Sequence, residues 1–209
     1  DMQEVTMLTI FVIGGMGAGK STARKALVDQ GLDWLDLDQI GHDVLMWETV
    51  KTDLLGAFGT DIFDPYGEVS RPALARKAFE SPAQTRKLNR ITMPRIEELF
   101  VERLDELKHK GCKAVVVEYS VYKNRASSMG YAADIVIGVL APLDVRLQRA
   151  VAAGWAEDDV RRRIAQQVTD AERIEESDVV FSNDGTKEEL YNKVVSWWND
   201  YAEKEGIQL

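Results

Sequence analysis

The stretch GGMGAGKST, residues 14–22, constrains what this chain can fold into more than any other feature of the sequence. It satisfies the pattern Gly-x-x-x-x-Gly-Lys-[Ser/Thr], whose glycines let the backbone curl so that successive N–H groups point inward at an anion. The apolar run before it (LTIFVI, residues 8–13) is typical of a buried strand, and residues 20–30 have the spacing of a helix. Such a helix adds its positive N-terminal end to the anion site. The sequence therefore predicts a phosphate-binding loop between a strand and a helix.

The chemistry of this loop favours a nucleoside triphosphate as its ligand. Lys20 can reach the β- and γ-phosphates, and the hydroxyl of Ser21 can ligate Mg²⁺. The residues predicted to bind the nucleotide are Gly15, Gly17, Ala18, Gly19, Lys20, Ser21 and Thr22. The sequence contains no Asn-Lys-x-Asp, which a GTPase uses to read its base, and motor ATPases are usually larger. We therefore expect a small-molecule kinase that uses a purine nucleotide.

Short apolar runs alternate with helical patterns along the chain. After the first strand, the further strand candidates are residues 32–37, 114–117, 135–140 and 179–181. Ser81 and Thr186 begin helices with the spacing of a capping box. This alternation predicts an α/β protein of the P-loop NTPase fold, with a five-stranded parallel sheet and helices on both faces.

The sequence has no internal repeat and no linker, so we expect a single domain over residues 1–209. Long helical insertions follow the second and fourth strands, and small-molecule kinases use such insertions to bind the acceptor and to close over the site. The expected parts are a core at about residues 8–38, 112–148 and 178–201, a helical acceptor-binding insertion at about 40–110, and a lid at about 149–170.

Composition argues against several classes of protein. With 26 Lys and Arg against 35 Asp and Glu, the formal net charge is −9, which does not favour binding to a nucleic-acid backbone. No apolar run approaches the ~20 residues of a membrane span. The single cysteine, Cys112, cannot form an internal disulfide, and one thiol with two histidines cannot build a structural zinc site. We expect a cytoplasmic enzyme that acts on a small molecule, with no nucleic acid, membrane or obligate protein partner.

Five stretches, in this order, are similar to the dephospho-coenzyme A kinase family and cover about residues 8–201. They are TIFVIGGMGAGKST (9–22), GLDWLDLDQIGHDV (31–44), FGTDIFDPYGEVSRPALARKAF (58–79), LNRITMPRI (88–96) and SDVVFSNDGT (177–186). The resemblance implies that the enzyme transfers the γ-phosphate of ATP, with Mg²⁺, to the 3′-hydroxyl of dephospho-CoA. This reaction is the last step of coenzyme A biosynthesis.

Asp38 is the residue expected to orient the attacking hydroxyl. Phosphoryl transfer depends on positioning and charge neutralisation, with a carboxylate at the acceptor hydroxyl. Asp38 is predicted at the C-terminal end of the second strand, where ligands bind in open α/β sheets, and Asp36 shares its face of that strand. A cap for the next helix is the alternative interpretation of Asp38. Asp38, Lys20 and Arg149 form the predicted catalytic set.

Other candidate residues follow from the resemblance or from their positions. Arg71 matches a family arginine near the acceptor site, and Arg149 resembles the lid arginine that contacts the transferring phosphates; each is alternatively an exposed surface charge. By analogy the loop containing Asn183 and Gly185 lies near the ATP adenine, although a bare turn needs no ligand. Glu118 ends an apolar strand, where it could hold a Mg²⁺-bound water or be a plain carboxylate.

Three stretches depart from the family pattern. Met93-Pro94 stands where the family usually has His-Pro, residues 118–122 (EYSVY) replace an apolar Pro-Leu-Leu-Phe-Glu stretch, and residues 152–155 (AAGW) lack a second lid arginine. Tyr119 and Tyr122 could line an acceptor, although aromatic residues after a strand are more often packing. The departures leave two further hypotheses open: a kinase of the same fold acting on another nucleotide or nucleoside, and a catalytically degenerate ATP-binding regulatory protein.

Overall fold

The computed structural model describes residues 6–127 and 129–209. Contacts between residues divide the chain into two compact units. The first unit ends at Asp36, resumes at Asp105 and continues to Leu209, and the second unit is Leu37–Leu104. The second unit overlaps the helical insertion that the sequence predicts at about residues 40–110.

The first unit contains a sheet of five strands: β1 Leu8–Gly14, β2 Asp33–Asp36, β3 Ala114–Glu118, β4 Ile135–Leu140 and β5 Val179–Ser182. Their spatial order is β2-β3-β1-β4-β5, and every neighbouring pair is parallel. β1 lies at the centre and is buried from its second residue onward. A parallel sheet of this kind needs cover on both faces. The predicted five-stranded parallel sheet is confirmed.

The helices, in chain order, are α1 Lys20–Asp29, α2 Leu37–Asp43, α3 Glu48–Phe58, α4 Arg71–Ala78, α5 Pro82–His109, α6 Leu143–Ala152, α7 Glu157–Gln166, α8 Asp170–Glu176 and α9 Lys187–Glu205. Two of them start where capping sequences predict. The Ser81 hydroxyl accepts a hydrogen bond from the Gln84 N–H (3.2 Å), and Thr186 forms a complete capping box with Glu189. Across residues 6–127 and 129–209, no helix combines the length and the apolar character needed to cross a bilayer.

One face of the sheet packs against α1 and α9. Ile10 and Val12 of β1 are fully buried in this layer, together with Leu27 of α1 and Val194 of α9. Phe11 points to the opposite face by the period-two rule and is equally buried. Burying one such side chain stabilises the fold by about 1.5–3 kcal/mol. The central strand is therefore firmly held, and it fixes the point at which the following loop begins.

The second unit is helical and has a small core of its own. Val50, Leu54 and Phe58 of α3 recur every four residues and form one apolar stripe. This stripe packs against Ile62 and Leu74, and all five side chains are buried. The predicted helical character of the insertion is confirmed.

The second strand is shorter than predicted, and this changes the setting of Asp38. β2 is an edge strand paired with β3, and the register places Asp36 opposite Glu118, the last residue of β3. Because β3 ends there, the chain leaves the sheet and begins α2 at Leu37. Asp38 therefore lies in the first turn of a helix, where the helix dipole favours a carboxylate. The prediction that Asp38 ends the strand and shares a strand face with Asp36 is wrong.

Candidate active site

The phosphate-binding loop runs from Gly14, where β1 ends, to Lys20, where α1 begins. The N-cap residue Gly19 has φ 112°, in the left-handed region that glycine adopts readily. Within this fully described helix no side chain caps the N-terminus and no acidic residue lies in the first turn. The first N–H groups of a helix have no partners within it, so they and the dipole act on whatever occupies the loop. The geometry is that of an anion site, as the motif predicts.

Other parts of the first unit lie directly against the glycines of the loop. A Cβ on Gly15 would sit 2.6 Å from Nη1 of Arg146, and a Cβ on Gly17 would sit 2.5 Å from the Arg146 carbonyl oxygen. A Cβ on Gly19 would sit 2.3 Å from Nδ2 of Asn183. The first half of α6 and the loop after β5 therefore pack against the glycine side of the phosphate-binding loop, which we call the back of the loop.

Lys20 folds back over the loop that precedes it. Its Nζ donates to the carbonyl oxygen of Gly14 at 3.0 Å and to that of Gly15 at 3.4 Å. These bonds hold the ammonium group beside the curled backbone. The helix α1 begins at Lys20 as the sequence predicts, and contact between its ammonium group and the phosphates stays a prediction.

Glu118 is held at the carboxyl end of β3 by two side chains of α1. The Ser21 hydroxyl donates to Oε1 at 3.2 Å, and Nε of Arg24 donates to Oε2 at 3.3 Å. The Arg24 guanidinium also stacks on the ring of Trp34, 3.9 Å from the ring centroid. With a side chain only 12% exposed, Glu118 is fixed beside the loop serine rather than free in solvent.

The donor atoms at this point suit one kind of metal. Residues 6–127 and 129–209 contain no group of three or more His, Cys, Asp or Glu placed to hold a metal ion. Ser21 and Glu118 instead offer one hydroxyl and one carboxylate oxygen close together. Mg²⁺ bound with a nucleotide takes one or two protein oxygens and completes its octahedron with phosphate and water. The pair therefore fits Mg²⁺ bound together with a nucleotide.

Arg149 joins the phosphate-binding loop to the loop after β5. Its Nη1 donates to the Gly17 carbonyl oxygen (3.3 Å), and its Nη2 donates to the carbonyl oxygens of Asn183 (2.9 Å) and Gly185 (3.2 Å). Its guanidinium thus has three backbone partners, unlike an exposed surface charge. Asn183 is itself buried, and its Nδ2 donates to the carbonyl oxygen of Ala18 at 2.8 Å. The structure brings these candidates together behind the phosphate-binding loop.

The acceptor candidates Asp38 and Arg71 both belong to the second unit. Asp38 and His42 are four residues apart on α2 and therefore share one face of that helix. Arg71 begins α4, and its Nη1 lies 2.7 Å from Nδ1 of His42. His42 is the neighbour of Arg71 that sequence reasoning missed.

Tyr119 and Tyr122 are packing residues. Both are buried, and both make edge-to-face contacts with Phe11 at centroid distances of 6.3 and 6.0 Å. The hydroxyl of Tyr122 donates to Glu176 at 3.2 Å, and burial raises the pKa of this phenol above its usual range. The altered stretch after β3 therefore contributes to the core, in line with the packing interpretation of these two rings.

Two residues behind the loop were not predicted. Arg146 lies against Gly15 and Gly17, and Gln167 accepts a hydrogen bond from the Met16 N–H at 3.1 Å. Helical spacing places Arg146 one turn before Arg149 on α6, which is the only local signal for it. Gln167 gives no local signal, because it meets the loop only in the folded chain.

The fold and the loop together define a P-loop kinase. TT1252 from Thermus thermophilus superposes with a TM-score of 0.79 and 26% identity, covering 93% of this chain and 97% of that one. A dephospho-CoA kinase from Campylobacter jejuni (TM-score 0.62, 18% identity, 92% and 96% covered) and shikimate kinase from Acinetobacter baumannii (0.51, 17%, 94% and 95%) share the fold.

Sequence comparison assigns the family. The family model described as dephospho-CoA kinase matches residues 8–189. A dephospho-CoA kinase from Corynebacterium efficiens is 41% identical over 186 residues, covering 88% of this chain and 92% of the relative. One from Dehalococcoides mccartyi is 31% identical over 185 residues, with the same coverage. The chain belongs to the dephospho-CoA kinase family.

Proposed function

We propose that this enzyme transfers the γ-phosphate of ATP to the 3′-hydroxyl of dephospho-CoA, in the last step of coenzyme A biosynthesis. The observation that carries the proposal is the uncapped N-terminus of α1 behind a glycine loop, with Lys20 beside it, in a chain of this family. We place the reaction in the cytoplasm, where a single unpaired thiol such as Cys112 is usual.

The nucleotide site uses backbone and side-chain charge together. The N–H groups of the loop and of the first turn of α1 bind the phosphate oxygens, and the Lys20 ammonium neutralises the β- and γ-phosphates. Phosphoryl transfer needs little covalent chemistry from the protein, so fixed positive charge around the γ-phosphate is the main contribution. Arg149 adds a further positive charge, and its Nη1 donates a hydrogen bond to the carbonyl oxygen of Gly17 in the loop.

Ser21 and Glu118 are the residues that would hold Mg²⁺, Ser21 directly and Glu118 directly or through a water molecule. When bound, the ion neutralises charge on the phosphates and helps to align them. Arg24 supports this pair because it holds the second carboxylate oxygen of Glu118 and leaves the first directed at Ser21. The carboxylate is thereby oriented before any ligand arrives.

Asp38 is assigned to the acceptor hydroxyl. A carboxylate at this position accepts a hydrogen bond from the 3′-hydroxyl and takes up its proton as the phosphoryl group transfers. Arg71 is assigned to an anionic group of the acceptor, with His42 beside it as its side-chain neighbour. Guanidinium groups are suited to this task because they bind phosphate oxygens in pairs.

A coupled assay with purified protein, MgATP and dephospho-CoA tests the proposal. Lys20→Ala and Asp38→Asn are expected to lower kcat by on the order of a hundredfold or more while the fold is retained. Lys25→Ala is the matched control, since Lys25 lies on the same helix but is exposed and pairs with Asp29. It should leave the rate within about twofold of the wild type, because exposed ion pairs contribute little.

Each alternative result has a defined meaning. Turnover with another nucleotide or nucleoside, and none with dephospho-CoA, would replace the acceptor in this proposal. Binding of ATP without transfer to any acceptor would make the chain a regulatory nucleotide-binding protein. An Asp38→Asn variant with a near-normal rate would remove the role assigned to that carboxylate.

A further inference from the structure

Arg146 supports the phosphate-binding loop from behind. It lies on α6 and is only 4% exposed. Its guanidinium lies so close to Gly15 that any side chain there would have to displace it, and its backbone carbonyl oxygen would collide with a side chain at Gly17. One residue therefore lies against the loop at two points, Gly15 and Gly17.

Arg146 is in turn held by Asp170, the first residue of α8. Oδ1 of Asp170 lies 3.6 Å from Nη1 of Arg146 and 2.9 Å from Nη1 of Arg173. Arg173 is also buried, so two buried guanidinium groups share one carboxylate. Among the described residues, Nε of Arg146 and Nη2 of Arg173 have no hydrogen-bond partner.

Two buried guanidinium groups that share one carboxylate are not expected to increase the stability of the fold. Burying charged groups with incomplete pairing costs free energy, and apolar side chains of similar volume often stabilise a core as well or better. A guanidinium group has one property that an apolar side chain lacks: it is a rigid plane that packs by its face and bonds by its edge. Here the plane packs on Gly15 while the edge faces Asp170. The cost is therefore consistent with a role in fixing the loop.

The segment that carries Asp170 contacts the loop a second time. Gln167, which caps the C-terminus of α7, accepts the hydrogen bond from the Met16 N–H. The side chain of Met16 also packs against a small cluster that includes Leu147 and Val160. The lid helix α7 thus ends in a segment that holds the phosphate-binding loop both directly and through Arg146.

We propose that Arg146 and Asp170 form a strut that holds Gly15–Gly17 in the conformation that binds the phosphates of ATP. Arg146 is a positioning residue, because it acts through the backbone of the loop and not by contact with the nucleotide. All of these residues belong to the first unit. The inference deepens the proposed function, on which it rests for its kinetic assay, whereas its binding assay requires only that the chain binds MgATP.

The test compares Arg146→Lys, Arg146→Met and Asp170→Asn with the wild-type protein. MgATP binding is measured by calorimetry, and kcat and the KM values for ATP and for dephospho-CoA are measured by the coupled assay. Asp105→Asn is the matched control. Asp105 forms an ion pair with Lys108, three residues later, at 3.7 Å, just as Asp170 forms one with Arg173. Both side chains of the Asp105–Lys108 pair are exposed. Thermal melting is recorded for every variant.

The strut predicts a selective loss of nucleotide binding. Asp170→Asn and Arg146→Met should weaken MgATP binding and raise the KM for ATP by on the order of tenfold, because each breaks the ion pair between the buried Arg146 guanidinium and the half-exposed Asp170 carboxylate. The KM for dephospho-CoA should stay within about twofold of the wild type. Arg146→Lys should resemble Arg146→Met, since it keeps the charge but loses the planar group. The double variant should weaken MgATP binding by less than the two single effects combined, because both changes break the contact between Arg146 and Asp170, and only Asp170→Asn also affects Arg173.

Several results would overturn the strut. If Asp170→Asn binds MgATP as tightly as Asp105→Asn does, the strut is refuted. It is also refuted if Arg146→Lys binds MgATP as tightly as the wild type, because the positive charge alone would then account for the effect of Arg146. An equal rise in both KM values together with a lower melting temperature would assign Arg146 to general stability. If Arg146→Met does not fold, Asp170→Asn against Asp105→Asn decides the matter. If the wild type binds MgATP but does not phosphorylate dephospho-CoA, the proposed function fails while the calorimetry still decides the strut.

Discussion

Replacing Gly17 with alanine should destabilise the protein by about 2–5 kcal/mol. Gly17 has φ +76°, and holding a residue with a side chain in the left-handed region costs roughly 1–2 kcal/mol. The new Cβ would also lie 2.5 Å from the carbonyl oxygen of Arg146, a backbone atom that cannot rotate away. Overpacking of this kind costs roughly a further 1–3 kcal/mol.

Gly154→Ala separates the two contributions. Gly154 has φ +97°, but a Cβ there would meet no described atom within 4 Å, so only the backbone cost of about 1–2 kcal/mol applies. Urea denaturation of both variants measures the difference. With a slope of about 2 kcal/mol/M, an extra ~2 kcal/mol moves the midpoint by about 1 M. Equal midpoints for the two variants would refute the close packing of α6 against the phosphate-binding loop.

Three further predictions concern the side chains around the loop. Asn183→Ala should lower the free energy of unfolding by about 1–3 kcal/mol in urea, because it leaves the Ala18 carbonyl oxygen without its buried partner; an unchanged midpoint would contradict this. Glu118→Gln should raise the Mg²⁺ concentration for half-maximal activity by about tenfold or more, with Asp200→Asn, an exposed carboxylate on α9, as control. Burial and a neighbouring carboxylate raise the pKa of the Cys112 thiol to about 11, so its alkylation rate should still be rising above about pH 10. A plateau at about pH 10, as for a free thiol, would contradict that environment.

The central strand and the phosphate-binding loop could be predicted because their signals are local. β4 spans Ile135–Leu140 as predicted, and β1 extends only one residue beyond its predicted end, to Gly14. A strand buried on both faces is a continuous apolar run, and the glycines that curl the backbone lie next to it in the sequence. Each of these features depends on a few adjacent residues.

The end of the second strand could not be predicted, because it depends on a distant part of the chain. β2 stops at Asp36 since its neighbour β3 stops at Glu118, and nothing near residue 36 records where β3 ends. The strand pattern in the sequence continues past Asp36, and it therefore predicts that Asp38 lies in the sheet. In the structure Asp38 lies in the first turn of α2, which begins at Leu37, and this is close to its alternative interpretation as a helix cap.

The contacts behind the loop were only partly predictable for the same reason. The family resemblance predicts that Arg149 contacts the transferring phosphates, whereas its three hydrogen bonds in the structure go to backbone carbonyl oxygens. Contact between Arg149 and phosphate stays a prediction. Gln167 and Met16 are 151 residues apart, and a single sequence carries no sign that they meet. Long-range packing determines which side chains support the loop.

Transfer of radiolabelled γ-phosphate from ATP to dephospho-CoA by the purified protein tests the central claim most directly. The account predicts that the label appears on the 3′-oxygen of the ribose, one phosphate for each ATP consumed, and that Lys20→Ala loses nearly all of this transfer. Label that stays in ATP, or that leaves only as inorganic phosphate while the Lys20→Ala variant behaves like the wild type, would contradict it.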